Sequence, residues 1–161
     1  MRLGPEKHPV DSCARDHGHL FLGNCDIAKD KEKLDQLGIH AILNVTSKGE
    51  VPNYFPTQFA YSNIHINDDP SVNILDHVEK AFEFIHEWRH NKKKPVLVHC
   101  AAGVSRSPSI VISYLMRTDV GMSFAAALKF VQTKRELVSL NDGFARQLMM
   151  FSKERTKNDV L

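Results

Sequence analysis

Cysteine is scarce in this chain: three in 161 residues, an odd number spread far apart. That excludes a disulfide framework and fits a reducing compartment, so the expected location is the cytoplasm, with the nucleus left open. An excess of charge is missing too. The net value is +2, which points neither to nucleic-acid binding nor to attraction to a membrane surface. No apolar run approaches the length of a membrane-spanning helix. The first eight residues carry no apolar signal core, and Arg2 stands where N-myristoylation requires glycine. Repeats and low-complexity segments are absent. With 42% hydrophobic residues, enough remains to build one soluble domain with a real core.

One stretch organises the chain: Pro95-Val-Leu-Val-His99-Cys100-Ala101-Ala102-Gly103-Val104-Ser105-Arg106-Ser107-Pro108-Ser109. Val96, Leu97 and Val98 form a short β-branched apolar run, the pattern of a strand buried on both faces. Small residues follow, and then Ile110 to Met116, an apolar run of helical length. Pro108 is tolerated because the first helical turn has amides without intrahelical partners. A strand, a small-residue loop and a helix N-terminus make an anion cradle, in which successive N–H groups and the helix dipole favour a phosphoryl group. Cys100 at its base feels the same field, which favours the thiolate. Arg106 can curl back and hold two oxygens in a planar fork, as lysine could not. Nucleophile, amide cradle and bidentate clamp are the parts needed for phosphoryl transfer through a cysteinyl-phosphate.

His99-Cys100-x-x-Gly103-x-x-Arg106-Ser107 resembles the signature loop of the cysteine-dependent protein phosphatases, and His-Cys-Ala-Ala-Gly-Val-Ser-Arg-Ser is most similar to that of the dual-specificity phosphatases. His19-Leu-Phe-Leu-Gly23 resembles the Leu-Tyr-Leu-Gly strand of that family, with Phe21 in place of tyrosine. Asn141-Asp-Gly143-Phe144 resembles its Pro-Asn-x-Gly-Phe, with Leu140 in place of proline. The resemblance runs from about residue 18 to 152. It implies a small, atypical dual-specificity enzyme that removes phosphate from phosphotyrosine, phosphoserine and phosphothreonine in proteins, kinases among them, without metal or cofactor. Tyrosine-specific relatives carry a segment that deepens the pocket around a phenyl ring; this chain shows none, so a shallow site is expected. A kinase-docking domain ahead of the catalytic one is not expected, so a kinase substrate is expected to be recognised by the catalytic domain itself.

The expected organisation is an irregular arm over residues 1–17, a catalytic domain over 18–152 and a polar tail over 153–161. Within the domain, a strand at His19–Gly23 leads to a helix capped by Asp26 and stopped by Gly38. A second strand spans Ile39–Val45, and residues 46–58 form a surface loop rich in turn formers. A third strand runs from Phe59 to Ile66. The clearest helix covers 73–91, where Ile74, Leu75, Val78, Ala81, Phe82, Ile85 and Trp88 make one apolar stripe. Two more helices follow the loop's own: one capped by Ser123, one beginning at Asn141 or Asp142. This order predicts an α/β sandwich: a mostly parallel central sheet of four or five strands flanked by helices, with the phosphatase loop between a central strand and a helix N-terminus. Ligands in such folds bind at the carboxyl ends of strands, where the cysteine loop lies.

A cysteine alone does not suffice, because the leaving oxygen needs a proton and a water must later be activated. Asn67-Asp68-Asp69-Pro70 follows the third strand on the same rim. The family carries its general acid here, and the spacing to Asn73 selects Asp68, with Asp69 as the reserve. The resemblance further implies that Ser107 helps the sulfur depart, that His99 braces the loop by hydrogen bonds, that Gly103 supplies a backbone shape barred to other residues, and that Asn141 gives support.

Three other patterns compete. His86-Glu87-Trp88-Arg89-His90 matches the zinc-protease motif, but Glu87 points away from the face that His86 borders, and no third ligand follows. Cys13, His17, His19 and Cys25 fit no standard zinc spacing. Lys92-Lys93-Lys94 reads as a solvated turn. A protective disulfide between Cys100 and Cys13 or Cys25 is a family habit that the sequence cannot place. Alternatives with the same chemistry are a phosphoinositide or an RNA 5′-phosphatase, which would be expected to carry more basic surroundings. A non-catalytic phosphate-binding pseudophosphatase is the reading from another class. The sequence leaves the oligomeric state open.

Overall fold

The structure, a computed structural model, describes residues 2–3, 19–119 and 122–158. Strands β1 (Arg2–Leu3), β2 (Leu20–Gly23), β3 (Ala41–Asn44), β4 (Ala60–Asn63) and β5 (Val96–His99) form one sheet in the order β1-β2-β5-β3-β4. β5 lies in the middle, parallel to β2 and β3, and β3 pairs in parallel with β4. Only the short β1 runs antiparallel, against β2. The arm expected to be irregular thus contributes a two-residue edge strand; its remaining residues lie outside the described ones.

Alternation along the buried strands sorts two unequal cores, because successive side chains of a strand leave opposite faces. Leu20, Leu22, Ala41, Leu43, Val96 and Val98 enter the larger core with Ile110, Phe144 and Leu148. Helices α3 (Val78–His86), α4 (Arg106–Thr118), α5 (Phe124–Lys134) and α6 (Asp142–Asn158) cover that face. Phe21, Ile42 and Leu97 enter the smaller core with Ala28, Leu34, Ile39 and Phe59. Truncating Leu97, fully buried between them, would cost about 2–5 kcal/mol.

Several boundaries differ from expectation for local reasons. The first helical stretch is two short helices, α1 (Cys25–Ala28) and α2 (Lys31–Gln36). Asn24 rather than Asp26 caps the first, through Ile27 N–H at 3.2 Å, and Asp30 caps the second through Lys33 N–H at 2.9 Å. The long helix opens with a tight turn at Ile74–His77 and closes with a wide one at Glu87–Asn91, where Lys92 N–H reaches back to the Glu87 carbonyl. The C-terminal helix does not stop at Ser152 but continues to Asn158. Among the described residues, no helix is long and apolar enough to cross a membrane.

Candidate active site

The loop from Cys100 to Ser105 is built by turning its carbonyls outward. Ala101 O accepts from Cys25 N–H at 3.0 Å and Val104 O from Ser139 N–H at 3.0 Å. Arg135 supplies the middle pair, donating from Nη2 to Ala102 O at 3.1 Å and from Nε to Gly103 O at 2.9 Å. In a planar trans peptide the next residue's N–H points opposite to the carbonyl. The amides of Ala102, Gly103, Val104 and Ser105 therefore turn inward, and Gly103 N–H lies 3.2 Å from Cys100 Sγ. Gly103 has φ +67°, and a β-carbon there would sit 2.6 Å from Gly23 O, so the position is closed to other residues on two counts.

Cys100 follows the carboxyl end of the central strand and is 2% exposed. Its sulfur receives a second donor, the Ser107 hydroxyl from the first turn of α4, at 3.2 Å. That hydroxyl has a single hydrogen, and its other acceptor within reach is Gly23 O at 3.4 Å. The contact to sulfur is the shorter of the two.

Arg106 is buried, and its terminal nitrogens are already paired. Nη1 and Nη2 fork onto the two carboxylate oxygens of Glu50 at 2.5 and 3.0 Å. Glu50 is anchored in turn by Ser47 N–H at 2.9 Å. The bond from Arg106 holds the Glu50 carboxyl down at about 2, with Ser47 N–H adding to it, while Glu50 raises Arg106 above its ordinary value. Arg106 Nε is buried without a hydrogen-bond partner. One guanidinium donor is thus held in reserve and facing Asp68, whose Oδ2 is 3.9 Å away. Neither Glu50 nor Arg135 was singled out by the sequence. Glu50 lies in the stretch 46–58, expected to be only a surface loop, but Asn44 pins that stretch to the rim by donating to Val51 O at 2.9 Å and Asn53 Oδ1 at 3.1 Å.

The two neighbouring aspartates part company. Asp68 Oδ1 accepts from the Ser105 hydroxyl at 2.7 Å and from Asn141 Nδ2 at 2.8 Å, so it stands against the loop. Asp69 is turned to its own backbone, accepting from Ser71 N–H and Oγ at 2.8 and 2.6 Å; these bonds lower its carboxyl below the ordinary value. Asp69 is therefore a turn former and not a wall of the pocket. Asn141 caps α6 as well, through Phe144 N–H at 2.9 Å.

His99 touches the loop at one point. It is fully buried, its Nδ1 makes one long contact to Cys100 O at 3.4 Å, and Nε2 has no partner. Burial pushes the imidazole down to about 4, so it is neutral at physiological pH. Elsewhere, the His86 ring stacks between Phe82 and His90, and Glu87 turns to Asn91 Nδ2 at 2.7 Å and to Lys92. Among the described residues no group of three or more His, Cys, Asp or Glu could hold a metal ion. Cys13 and His17 lie outside the described residues; Cys25 touches the loop through its backbone N–H.

The fold thus brings together the Cys100 sulfur, inward amides, a reserved guanidinium N–H and a carboxylate oxygen, a donor set suited to a tetrahedral oxyanion. Residues 20–154 match the family model described as the dual-specificity phosphatase catalytic domain. The chain belongs to the dual-specificity phosphatase family. Protein phosphatase Slingshot homolog 1 of Homo sapiens is 42% identical over 130 residues, which cover 81% of this chain and 12% of that protein. This chain thus spans only a small part of the length of that relative. The crystal structure of human DUSP28 superposes with a TM-score of 0.78 at 28% identity, covering 86% of this chain and 94% of that one. The crystal structure of human tyrosine phosphatase-like serine/threonine/tyrosine-interacting protein does so with 0.78 at 34%, covering 85% and 93%.

Proposed function

We propose that this chain hydrolyses phosphate monoesters on tyrosine, serine and threonine of proteins, through a cysteinyl-phosphate intermediate formed on Cys100. The observation that carries the reading is the unpaired, buried Arg106 Nε between the cysteine loop and Asp68 Oδ2. A buried donor without an acceptor is costly, and a substrate phosphoryl oxygen supplies the acceptor. Glu50 keeps the guanidinium plane in place so that this N–H and the loop amides meet the three equatorial oxygens together. Cys100 Sγ attacks phosphorus, and Asp68 protonates the leaving oxygen. When water hydrolyses the intermediate, Asp68 takes its proton and Ser107 donates to the departing sulfur.

Charge near the loop supports a protein substrate over a polyanionic lipid or RNA end. Ala101, Ala102 and Val104 carry no cation, and the Arg135 guanidinium is committed to loop carbonyls. Thiolate chemistry also fits the reducing cytoplasm. Turnover of para-nitrophenyl phosphate and of a phosphopeptide panel, with phosphatidylinositol phosphates included, tests the reading. Activity on phosphopeptides, its loss in Cys100→Ser and its block by vanadate are expected. Turnover confined to lipids would transfer the proposal to that substrate. Phosphopeptide binding without turnover would make the chain a pseudophosphatase, a reading favoured only by its likeness to the phosphatase-like interacting protein.

A further inference from the structure

Asp68 has two oxygens in different surroundings. Oδ1 accepts twice, from the Ser105 hydroxyl at 2.7 Å and from Asn141 Nδ2 at 2.8 Å. Among the described residues Oδ2 has no such donor, and it faces Arg106 Nε at 3.9 Å, on the side where the phosphoryl group would sit. The Ser105 oxygen also accepts the backbone N–H of Asn141 at 3.1 Å, and its own hydroxyl hydrogen goes to Asp68 Oδ1. An ionised carboxylate can only accept, so with Asp68 ionised the hydroxyl is the donor of that bond. Ser105 is 5% exposed, so water does not compete freely for it.

We propose that Ser105 and Asn141 are positioning residues which fill Oδ1 with donors and so place the transferable proton of Asp68 on Oδ2. A proton on Oδ1 would displace one of two hydrogen bonds already made there; a proton on Oδ2 displaces none. The inference deepens the proposed function and rests on Asp68 being the acid. In the first step the sulfur–phosphorus bond forms, the bond from phosphorus to the leaving oxygen breaks, and the Oδ2 proton moves to that oxygen. In the second, water oxygen bonds phosphorus, the sulfur leaves with its electron pair, and a water proton returns to Oδ2. Oδ1 keeps its two donors throughout, so the carboxyl does not rotate between steps.

Kinetics on a phosphoserine peptide and on para-nitrophenyl phosphate test this, because only the poor leaving group needs the proton. Asp68→Asn sets the scale and should lower the ratio of the two kcat values by roughly 100-fold or more. Ser105→Ala should lower that ratio by about 10-fold while KM for the peptide stays within about twofold, and Ser105→Thr, which keeps the hydroxyl, should restore most of it. Asn141→Ala, which removes the other donor and leaves Ser105 in place, should lower the same ratio. An unchanged ratio in both alanine variants overturns the proposal, as does an equal loss on both substrates that threonine fails to rescue. If Asp68→Asn leaves the ratio unchanged, Asp68 is not the acid, and the mechanism proposed above falls together with its positioning pair.

Discussion

Gly143 and Pro70 are pressed together: a β-carbon on Gly143 would lie 2.0 Å from the Pro70 carbonyl oxygen and 2.5 Å from its Cα. The first turn of α6 is therefore the floor on which the Asp68 segment rests, and the neighbouring Asn141 holds the aspartate itself. Gly143→Ala must push the two backbones apart. The expected result is a loss of about 1–3 kcal/mol in urea unfolding. Turnover of phosphoserine peptide should also fall more than that of para-nitrophenyl phosphate; equal losses on both substrates would detach Gly143 from the acid.

Glu50→Ala removes the fork that keeps Arg106 in plane and leaves two buried guanidinium N–H groups without their acceptor. KM for phosphopeptide should rise about 10-fold or more, since a charge-assisted pair contributes on the order of 1.5–3 kcal/mol. Glu50→Gln, which keeps one acceptor oxygen, should recover part of it. Steady-state kinetics on the two variants decide this.

The same carboxylate sets an acid limit. Its value in the fold, about 2, lies below the ordinary 4.5. Its contribution to stability is therefore complete above about pH 4.5 and drains away as pH falls from there toward 2. Urea midpoints of wild type should drop across that window, and those of Glu50→Gln should drop less.

His99 acts at higher pH. Burial lowers it from 6.5 to about 4, so below pH 6.5 the unfolded chain takes up a proton that the folded one refuses. Stability is full above pH 6.5 and is lost as pH falls toward 4, by roughly 2 kcal/mol between pH 7.5 and 5. His99→Gln should flatten that part of the urea-midpoint curve, whatever it does to the midpoint itself.

Arg135→Ala would free the carbonyls of Ala102 and Gly103. With nothing holding them outward, those peptides can flip and their amides leave the pocket. A rise of about 10-fold in the inhibition constant of phosphate is expected, with Arg135→Lys recovering less than half because one ammonium cannot span two carbonyls.

How much of this was readable in the chain depends on the range of each signal. Val96–Val98, the small-residue loop and Pro108 are adjacent in sequence, so local chemistry gave the central strand, the cradle and the helix that follows. The family resemblance supplied the choice of Asp68 over Asp69, and only the fold supplies a physical reason: one aspartate is captured by Ser71 two residues on, the other by partners 37 and 73 positions away. Glu50 and Arg135 reach the site across 56 and 32 positions, a separation at which no periodicity or motif speaks. The split of the first helix escaped for a smaller reason: Asn24 and Asp30 both cap, and apolar spacing does not register a break between two such short turns.

The four loop carbonyls are held by Cys25, Arg135 and Ser139, so the pocket borrows its shape from the beginning and the end of the domain at once. During synthesis the reactive sulfur would emerge from the ribosome long before its last restraints. The cradle and its aspartate can therefore be fully held only once the chain has been made through Ser139 and Asn141.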